Sequence, residues 1–151
     1  MAFLIGEYES TLDSKQRIRV PAGLIAQLSG DDTGKFVITR GVDPCLYLYP
    51  QSEFYTEMDK VNQIPENSAE DRDFKNMFYS GTAILNIDSA DRILIPKLHL
   101  QHAGIVKDMI MVCQKNKVVV WAMERFRDKY LNMSAEQYQQ LSEKVRGKYG
   151  I

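Results

Sequence analysis

An arginine preceded by an aspartate four residues earlier occurs twice in this chain, each time within a similar ten-residue stretch. Residues 12–21 read LDSKQRIRVP, and residues 87–96 read IDSADRILIP. Aspartate, arginine and proline recur between the two stretches at a constant offset of 75 residues. A motif repeated in this way predicts two copies of one structural unit.

Arg17 and Arg92 have the chemistry to read a DNA base. A guanidinium can donate two parallel hydrogen bonds to O6 and N7 of guanine, which are worth roughly 1–3 kcal/mol of discrimination. Asp13 and Asp88 can accept hydrogen bonds from the backbone of their own turns and can orient the arginines. The alternative is that each Asp–Arg pair is a surface ion pair that only stabilises a hairpin, and this is the simpler interpretation of one copy alone.

Three more cations lie near the two motifs, namely Lys15, Arg19 and Lys97. They can contact phosphates, which position a protein on DNA without reading its sequence. The formal net charge of the chain is −1 at pH 7, which excludes a polycationic coat for nucleic acid. Any binding must therefore come from a local patch or from several weak sites that act together.

Other chemistries have little support in the sequence. His99 and His102 are close in sequence, but no third ligand lies at a suitable spacing, which favours a core or surface role over a metal site. Cys45 and Cys113 also lie outside any metal-type spacing, and we expect reduced, buried thiols in a cytosolic protein. The chain has neither a glycine-rich phosphate loop nor a nucleophile elbow. We therefore predict no catalytic residue, no metal and no cofactor.

The composition, with 44% hydrophobic and 26% charged residues, is typical of a globular domain. A chain of 151 residues suffices for one ordinary domain or for two small intertwined units. No stretch is apolar enough to span a membrane, and the first residues lack the basic region and long apolar core of a signal peptide. We therefore expect no membrane association.

The hydrophobic pattern predicts the same order in each copy: strand, turn, strand, short helix, strand, turn, strand, helix. Four short strands with one apolar face cannot form a closed core alone. We therefore expect the two copies to close on each other as a pseudo-symmetric barrel. The predicted strands are 8–12, 18–20, 36–39 and 46–49 in the first copy and 84–87, 93–95, 110–112 and 118–121 in the second.

Proline is expected to open helices at residues 21, 50 and 96, and Gly30 to end the first helix in a left-handed conformation. Two later helices begin at a capping serine, Ser68 or Ser134. In the first of these helices, Phe74, Met77 and Phe78 form an apolar stripe that predicts a core or subunit contact. In the second, Tyr138, Leu141 and Val145 lie on one face. The predicted division is a first unit at 1–61, a linking helix at 62–81, a second unit at 82–133 and a C-terminal helix at 134–151.

Several stretches taken together resemble one protein family. They are GEY at residues 6–8, the first motif to Pro21, TRG at 39–41 followed by CLYLYP at 45–50, FYSG at 78–81, and the second motif to Pro96. The combination resembles the MraZ family, bacterial regulators associated with the division and cell-wall gene cluster. The resemblance runs from about residue 3 to about residue 130.

The resemblance implies a β-rich α+β fold, built from two tandem swapped-hairpin units of the AbrB/SpoVT type with flanking helices. It implies a homo-oligomer, a ring-like octamer or similar assembly, without a membrane or a cofactor. It also implies that the Asp-x-x-x-Arg turns read double-stranded DNA, so that Lys15, Arg17 and Arg92 face the DNA. Together with the repeat, this favours DNA recognition over a purely structural ion pair.

The chain departs from the family pattern at the residue before each arginine, which is usually glycine and here is Gln16 or Asp91. A residue other than glycine disfavours a left-handed turn, although aspartate tolerates that conformation better than most. Asp91 also places a negative charge beside Arg92, which should weaken phosphate attraction. We therefore expect the first turn to contribute more of the binding.

The sequence thus predicts a transcriptional regulator in the cytoplasm, associated with the nucleoid. It would recognise several short, guanine-containing direct repeats in the promoter DNA of its target genes. The alternative from another class is a protein-interaction module, an antitoxin-like partner whose helices bind another protein. Steep salt dependence of DNA binding would support the first prediction.

Overall fold

All eight predicted strands form, each within two residues of its predicted bounds. The structure is a computed structural model, and it describes residues 3–151. The strands are β1 (Glu7–Thr11), β2 (Arg17–Arg19), β3 (Lys35–Arg40), β4 (Leu46–Tyr49), β5 (Ala83–Asn86), β6 (Arg92–Leu94), β7 (Asp108–Cys113) and β8 (Val118–Ala122).

Helices connect and flank these strands. They are α1 (Ala22–Ile25), α2 (Gln51–Asn62), α3 (Ala69–Ser80), α4 (Lys97–Ala103), α5 (Met123–Phe126) and α6 (Ala135–Tyr149), with a 3-10 turn at Gly30–Asp32 and a π-helical turn at Arg127–Leu131. Within residues 3–151, no helix combines the length and the apolar character needed to cross a bilayer.

The strands form a six-stranded antiparallel sheet, in the order β1-β7-β8-β4-β3-β5, and a two-stranded ribbon of β2 and β6. Apart from the hairpins β3–β4 and β7–β8, every pair joins a strand of one copy to a strand of the other. The two copies therefore interleave, as the swapped-hairpin fold implies. Among the described residues, β1 and β5 each pair with one strand only and so form the two edges of the sheet. The ribbon packs on the inner face of the sheet.

An approximate two-fold axis relates the two copies. Ile18 lies directly opposite Ile93 in the ribbon, and these are equivalent residues of the repeat. Tyr47 lies directly opposite Val119 between β4 and β8, and these are equivalent at a shorter offset of 72 residues. A half-turn that exchanges the two copies therefore exchanges the two residues within each of these pairs. The middle of the ribbon and the middle of the sheet both lie on this axis.

The main core lies between the ribbon and the inner face of the sheet. Ile18 and Ile93 are each 1% exposed and contact this face from the ribbon side. Alternate residues of the sheet strands supply the opposite side, because side chains alternate between the two faces of a strand. These fully buried side chains include Phe36, Ile38, Leu46, Leu48, Met109, Met111, Val118 and Val120.

The outer face of the sheet is also apolar and carries two separate clusters. In the first copy, Val37 and Tyr49 pack with Phe54 of α2, and Phe78 of α3 adds to this cluster. In the second copy, Trp121 and its neighbours pack with residues of α5. Helices therefore cover the outer face, whereas the ribbon covers the inner one.

The two predicted serine caps form, whereas each predicted proline directly precedes its helix and does not occupy the first helical position. Ser134 Oγ accepts from the backbone N–H of Gln137, and the Gln137 side chain accepts in return, which completes the capping box. The prediction that Gly30 ends the first helix was wrong, because α1 ends at Ile25 and Gly30 begins the 3-10 turn. The backbone N–H of Leu28 donates to Ile25, three residues back, and this tightening turns the chain before Gly30 is reached.

Ile18→Ala and Ile93→Ala should each lower the free energy of unfolding by roughly 2–5 kcal/mol, because each leaves a cavity in the core. The approximate two-fold axis gives both residues the same surroundings, so the two losses should agree closely. Urea unfolding monitored by circular dichroism would measure them. Leu94→Ala is the control, since Leu94 is 57% exposed on the other face of the ribbon, and its effect should be small. Clearly unequal losses for the two isoleucines would contradict the symmetric description.

Candidate nucleic-acid interface

Asp13 organises the first turn by accepting hydrogen bonds on both carboxylate oxygens. Its Oδ1 accepts from the backbone N–H of Lys15 at 2.8 Å and of Arg17 at 2.9 Å. Its Oδ2 accepts from Nε of the Arg17 guanidinium at 2.9 Å. One side chain thus fixes both the backbone of the turn and the direction of the arginine.

Asp88 makes the equivalent contacts in the second turn. Its Oδ1 accepts from the backbone N–H of Ala90 at 2.8 Å and of Arg92 at 2.9 Å, and its Oδ2 accepts from Nε of Arg92 at 3.0 Å. Within residues 3–151, this carboxylate is the only hydrogen-bond partner of the Arg92 guanidinium, and Asp13 is the only one of Arg17. Both terminal nitrogens of each arginine therefore remain available to a ligand.

The residue before each arginine adopts the left-handed conformation that usually favours glycine. Gln16 and Asp91 both have φ of 61°. Hydrogen bonds from the other copy hold them: the backbone N–H of Ile95 donates to the Gln16 carbonyl at 3.0 Å, and that of Val20 donates to the Asp91 carbonyl at 2.7 Å. The turn of each copy is therefore locked by the ribbon strand of the other.

The ribbon brings the arginines of both turns onto one outward surface. Arg19 lies directly opposite Arg92, and Arg17 lies opposite Leu94. These residues point away from the core because they alternate with the buried Ile18 and Ile93 of the same strands. The strands that flank each turn pair with other strands rather than with each other, so the turns lie at the two ends of a shared ribbon. We call the outward side of this ribbon, with both turns, the ribbon face.

The first turn has an excess of positive charge. Lys15 is exposed in the turn itself, and the Arg17 side chain is 26% exposed. Lys97, which belongs to the second copy, lines a surface cleft together with Asp13 and Gln16 of the first turn. Three cations therefore surround one carboxylate at this end of the ribbon face.

The second turn is closer to neutral. The Arg92 side chain is 33% exposed, and Arg19 lies opposite it across the ribbon. Asp88 and the exposed Asp91 offset these two cations. The exchange of neighbours, with Arg19 beside the second turn and Lys97 beside the first, follows from the pairing of the two copies.

Two further lysines, Lys107 and Lys35, lie at or next to the backbone contacts where the chain enters the turns, and no sequence pattern indicated them. The backbone N–H of Leu12 donates to the carbonyl of Lys107, and that of Ile87 donates to the carbonyl of Gly34, which precedes Lys35. Each contact joins residues of different copies. Only the strand register could have placed these backbone segments next to the turns.

Hydrogen bonding lowers the pKa of both turn carboxyls. The main cause is the backbone N–H of Arg17 for Asp13 and of Arg92 for Asp88, and the guanidinium adds to it. Charge-assisted hydrogen bonds of this kind favour the ionised form. Both carboxylates are therefore ionised at neutral pH, where they hold the turns in shape.

The two histidines bind backbone carbonyls. The Nε2–H of the buried His99 donates to the carbonyl of Gly81 at 2.8 Å, and that of His102 donates to the carbonyl of Gly41 at 3.1 Å. Burial lowers the pKa of His99, which keeps the ring neutral. The described residues contain no group of three side chains arranged to hold a metal ion. These contacts agree with the predicted core and surface roles.

The two cysteines are free thiols. Cys45 is buried in the outer cluster of the second copy, as predicted, and its burial raises the pKa of the thiol to about 11. Cys113 is only partly buried. The prediction of burial was therefore right for Cys45 and too strong for Cys113.

Removal of both turn carboxylates should weaken the dependence of stability on acidic pH. The pKa of each carboxyl is lower in the folded state, so its stabilisation is complete above the unfolded value of about 4 and is lost as pH falls through the folded value. Between pH 5 and pH 3, the double variant Asp13→Asn with Asp88→Asn should therefore lose less stability than the native chain. Urea unfolding at each pH would measure the free energy of unfolding of both. Asp73→Asn, which removes an exposed helical carboxylate, is the control. An unchanged slope in the double variant would contradict the role given to the two carboxylates.

The free energy of unfolding should be about 1 kcal/mol higher for Gln16→Gly than for Gln16→Ala, because only glycine adopts the left-handed conformation without a steric cost. Thermal or urea unfolding of Gln16→Gly and Gln16→Ala would measure the difference. The same pair of substitutions at Ser14, whose φ is not positive, provides the control, and there glycine should give no advantage. Equal stability of the two variants at position 16 would count against a strained turn.

Comparison with known proteins identifies the family. The model of the family described as "MraZ protein, putative antitoxin-like" matches this chain twice, at residues 3–77 and 78–146. The chain is 38% identical over 144 residues to the Transcriptional regulator MraZ of Cytophaga hutchinsonii, with 95% of each chain covered. It is 37% identical over 141 residues to the protein of that name from Clostridium beijerinckii, covering 93% of this chain and 95% of the relative.

A third similar protein is the Transcriptional regulator MraZ of Symbiobacterium thermophilum. It is 33% identical over 141 residues, which cover 93% of this chain and 99% of the relative. The two family matches together span almost the whole described chain, and they fall on the two copies of the repeat. The protein described here is therefore a member of the MraZ family.

Proposed function

We propose that this chain is a DNA-binding transcriptional regulator that reads short, guanine-containing direct repeats in promoter DNA of the division and cell-wall gene cluster. Its relatives are named as regulators of transcription, which agrees with the prediction that the chain is not an enzyme. The observation that carries the proposal is the ribbon face, where three arginines from two copies share one outward surface. The proposed place of action is the cytoplasm, on the nucleoid.

The geometry of each Asp–Arg pair suits base recognition. The aspartate accepts from Nε of the arginine, which leaves the two terminal nitrogens available to donate in parallel to guanine O6 and N7. A two-stranded ribbon is narrow enough to enter the major groove. We assign Arg17 and Arg92 to base contacts, and Lys15, Arg19 and Lys97 to phosphates, which set the position of the protein on the duplex.

The modest charge of the ribbon face implies that one copy binds weakly. The cations of the first turn outnumber its carboxylate, but those of the second turn are matched by two aspartates. Several linked ribbons that engage several repeats would raise the overall affinity through effective concentration. We therefore propose that a ring-like octamer or similar assembly of identical chains is the form that binds promoter DNA.

Arg17→Ala should weaken binding to a repeat-containing promoter fragment by about 5- to 150-fold, which corresponds to the loss of one bidentate base contact. Arg92→Ala should weaken it less, because Asp91 already reduces the positive potential at the second turn. Fluorescence anisotropy at several salt concentrations would measure both losses. A larger loss from Arg92→Ala would contradict the assignment of the first turn as the stronger one.

Two further variants complete this experiment. Arg127→Ala removes an exposed arginine far from the motifs in sequence and should leave the affinity unchanged. Asp91→Asn removes the negative charge while keeping a side chain that tolerates the left-handed turn, and it should strengthen binding. If the native chain shows no salt-dependent binding and instead co-purifies with another protein, the proposal of DNA recognition is wrong and the interaction-module interpretation replaces it.

A further inference from the structure

Gln16 holds a backbone conformation that suits glycine better than glutamine. The first turn is a three-residue loop: the backbone N–H of Asp13 donates to the Arg17 carbonyl at 2.9 Å, and that of Gln16 donates to the Asp13 carbonyl at 3.1 Å. A loop of this kind combines a type I turn with one left-handed residue, for which glycine is favoured. Gln16 occupies that position with a φ of 61°. A residue that is held at a steric cost points to a function of its side chain.

The side-chain amide of Gln16 has no hydrogen-bonding role among residues 3–151. The side chain is exposed, and the hydrogen bonds that hold the turn use the backbone of Gln16 and the side chain of Asp13 instead. A glutamine amide has one acceptor oxygen and two N–H donors. Both kinds of group are therefore available to a ligand of the ribbon face.

Gln16 lies directly before Arg17, to which we assign the guanine contact. Consecutive Cα atoms are about 3.8 Å apart, and successive phosphates of one DNA strand are about 3.4 Å apart along the helix axis. Neighbouring residues of a turn can therefore reach neighbouring base pairs. The backbone of both residues is fixed in place. The Gln16 carbonyl accepts from the N–H of Ile95 at 3.0 Å, and the Arg17 N–H donates to the turn carboxylate at 2.9 Å.

A glutamine amide matches the major-groove edge of adenine. Its oxygen can accept from the N6 amino group while its nitrogen donates to N7. Guanine presents two acceptors in the major groove, cytosine presents one donor, and thymine presents one acceptor and a methyl group. Adenine is therefore the base that satisfies both groups of the amide at once.

The second turn has a different group at this position. Asp91 has the same φ of 61°, and its side chain is also exposed. An ionised carboxylate only accepts hydrogen bonds, so it cannot donate to N7 of adenine. The two turns thus present an arginine with different neighbours, and only the first can pair with adenine in this way.

We propose that Gln16 reads an adenine in the base pair next to the guanine that Arg17 reads. The recognised step of a direct repeat then contains both bases, and Gln16 is the residue that determines the second. The adenine can belong to either strand, because the major groove exposes both bases of a pair. This inference deepens the proposed recognition of promoter DNA and rests on it.

The test measures the base preference of the full chain. Selection by the native chain from a pool of random DNA duplexes supplies the repeat-containing probe. Fluorescence anisotropy then compares that duplex with one in which the A·T pair beside the guanine is replaced by G·C in one repeat. The native chain should bind the selected duplex about 5- to 150-fold more tightly, the range expected of one bidentate contact. Gln16→Gly should bind both duplexes with similar affinity.

Gln16→Gly should keep the fold, because glycine adopts the left-handed conformation without a steric cost. Ser14→Gly, in the same loop, is the control and should keep the native preference for adenine. A further probe carries 7-deazaadenine at the same position, which lacks the N7 acceptor but still pairs with thymine. It should bind the native chain more weakly than the unmodified duplex does, and it should bind Gln16→Gly equally well.

An arginine variant separates failure of this contact from failure of DNA recognition. Arg17→Ala should weaken binding to all of these duplexes while keeping the preference for adenine. Arg17-dependent binding without a preference for adenine, or a native preference in Gln16→Gly, would overturn this inference alone. Absence of DNA binding by the native chain would overturn the proposed function and this inference together.

Discussion

The antiparallel pairing of β2 with β6 is the interaction on which the rest of the structure depends. It buries Ile18 and Ile93 in the core and turns Arg17 and Arg92 outward in the same step. Because side chains alternate along a strand, a slip of one residue would bury the arginines and expose the isoleucines. The large cost of burying unpaired charge therefore keeps the register fixed. Core packing and surface chemistry are two results of one alignment between segments that are distant in sequence.

The same pairing sustains turns that are locally unfavourable. A left-handed backbone at Gln16 has a steric cost that a glycine would avoid. The backbone hydrogen bond that Ile95 of the other copy donates to Gln16, together with the three that the Asp13 side chain accepts, offsets this cost. The turns therefore have their shape before any ligand arrives. A surface organised in advance loses less conformational entropy on binding, so more of its contact energy remains as affinity.

Local signals in the sequence were sufficient to predict the elements. Two β-rich runs on either side of the turn at residues 41–44 predicted β3 and β4, and the serine and glutamine of the capping box predicted the start of α6. Long-range contacts could not be read in this way. Gly30 has the positive φ that its type suggests, but the preceding turn had already ended the helix. Likewise, the position of Lys97 beside the first turn depends on which strand of one copy pairs with which strand of the other.

The approximate two-fold axis through the ribbon has a consequence for direction. A perfectly symmetric ribbon would look the same after half a rotation, and it would fit only targets that read the same on both strands. Here Lys15 and Gln16 at one end stand where Ala90 and Asp91 stand at the other, so the surface has a distinguishable head and tail. A DNA duplex bound across this surface would therefore favour one orientation over the reverse. Identical chains in the proposed ring would then all favour the same direction along one duplex, which agrees with the proposed direct repeats and not with palindromic sites.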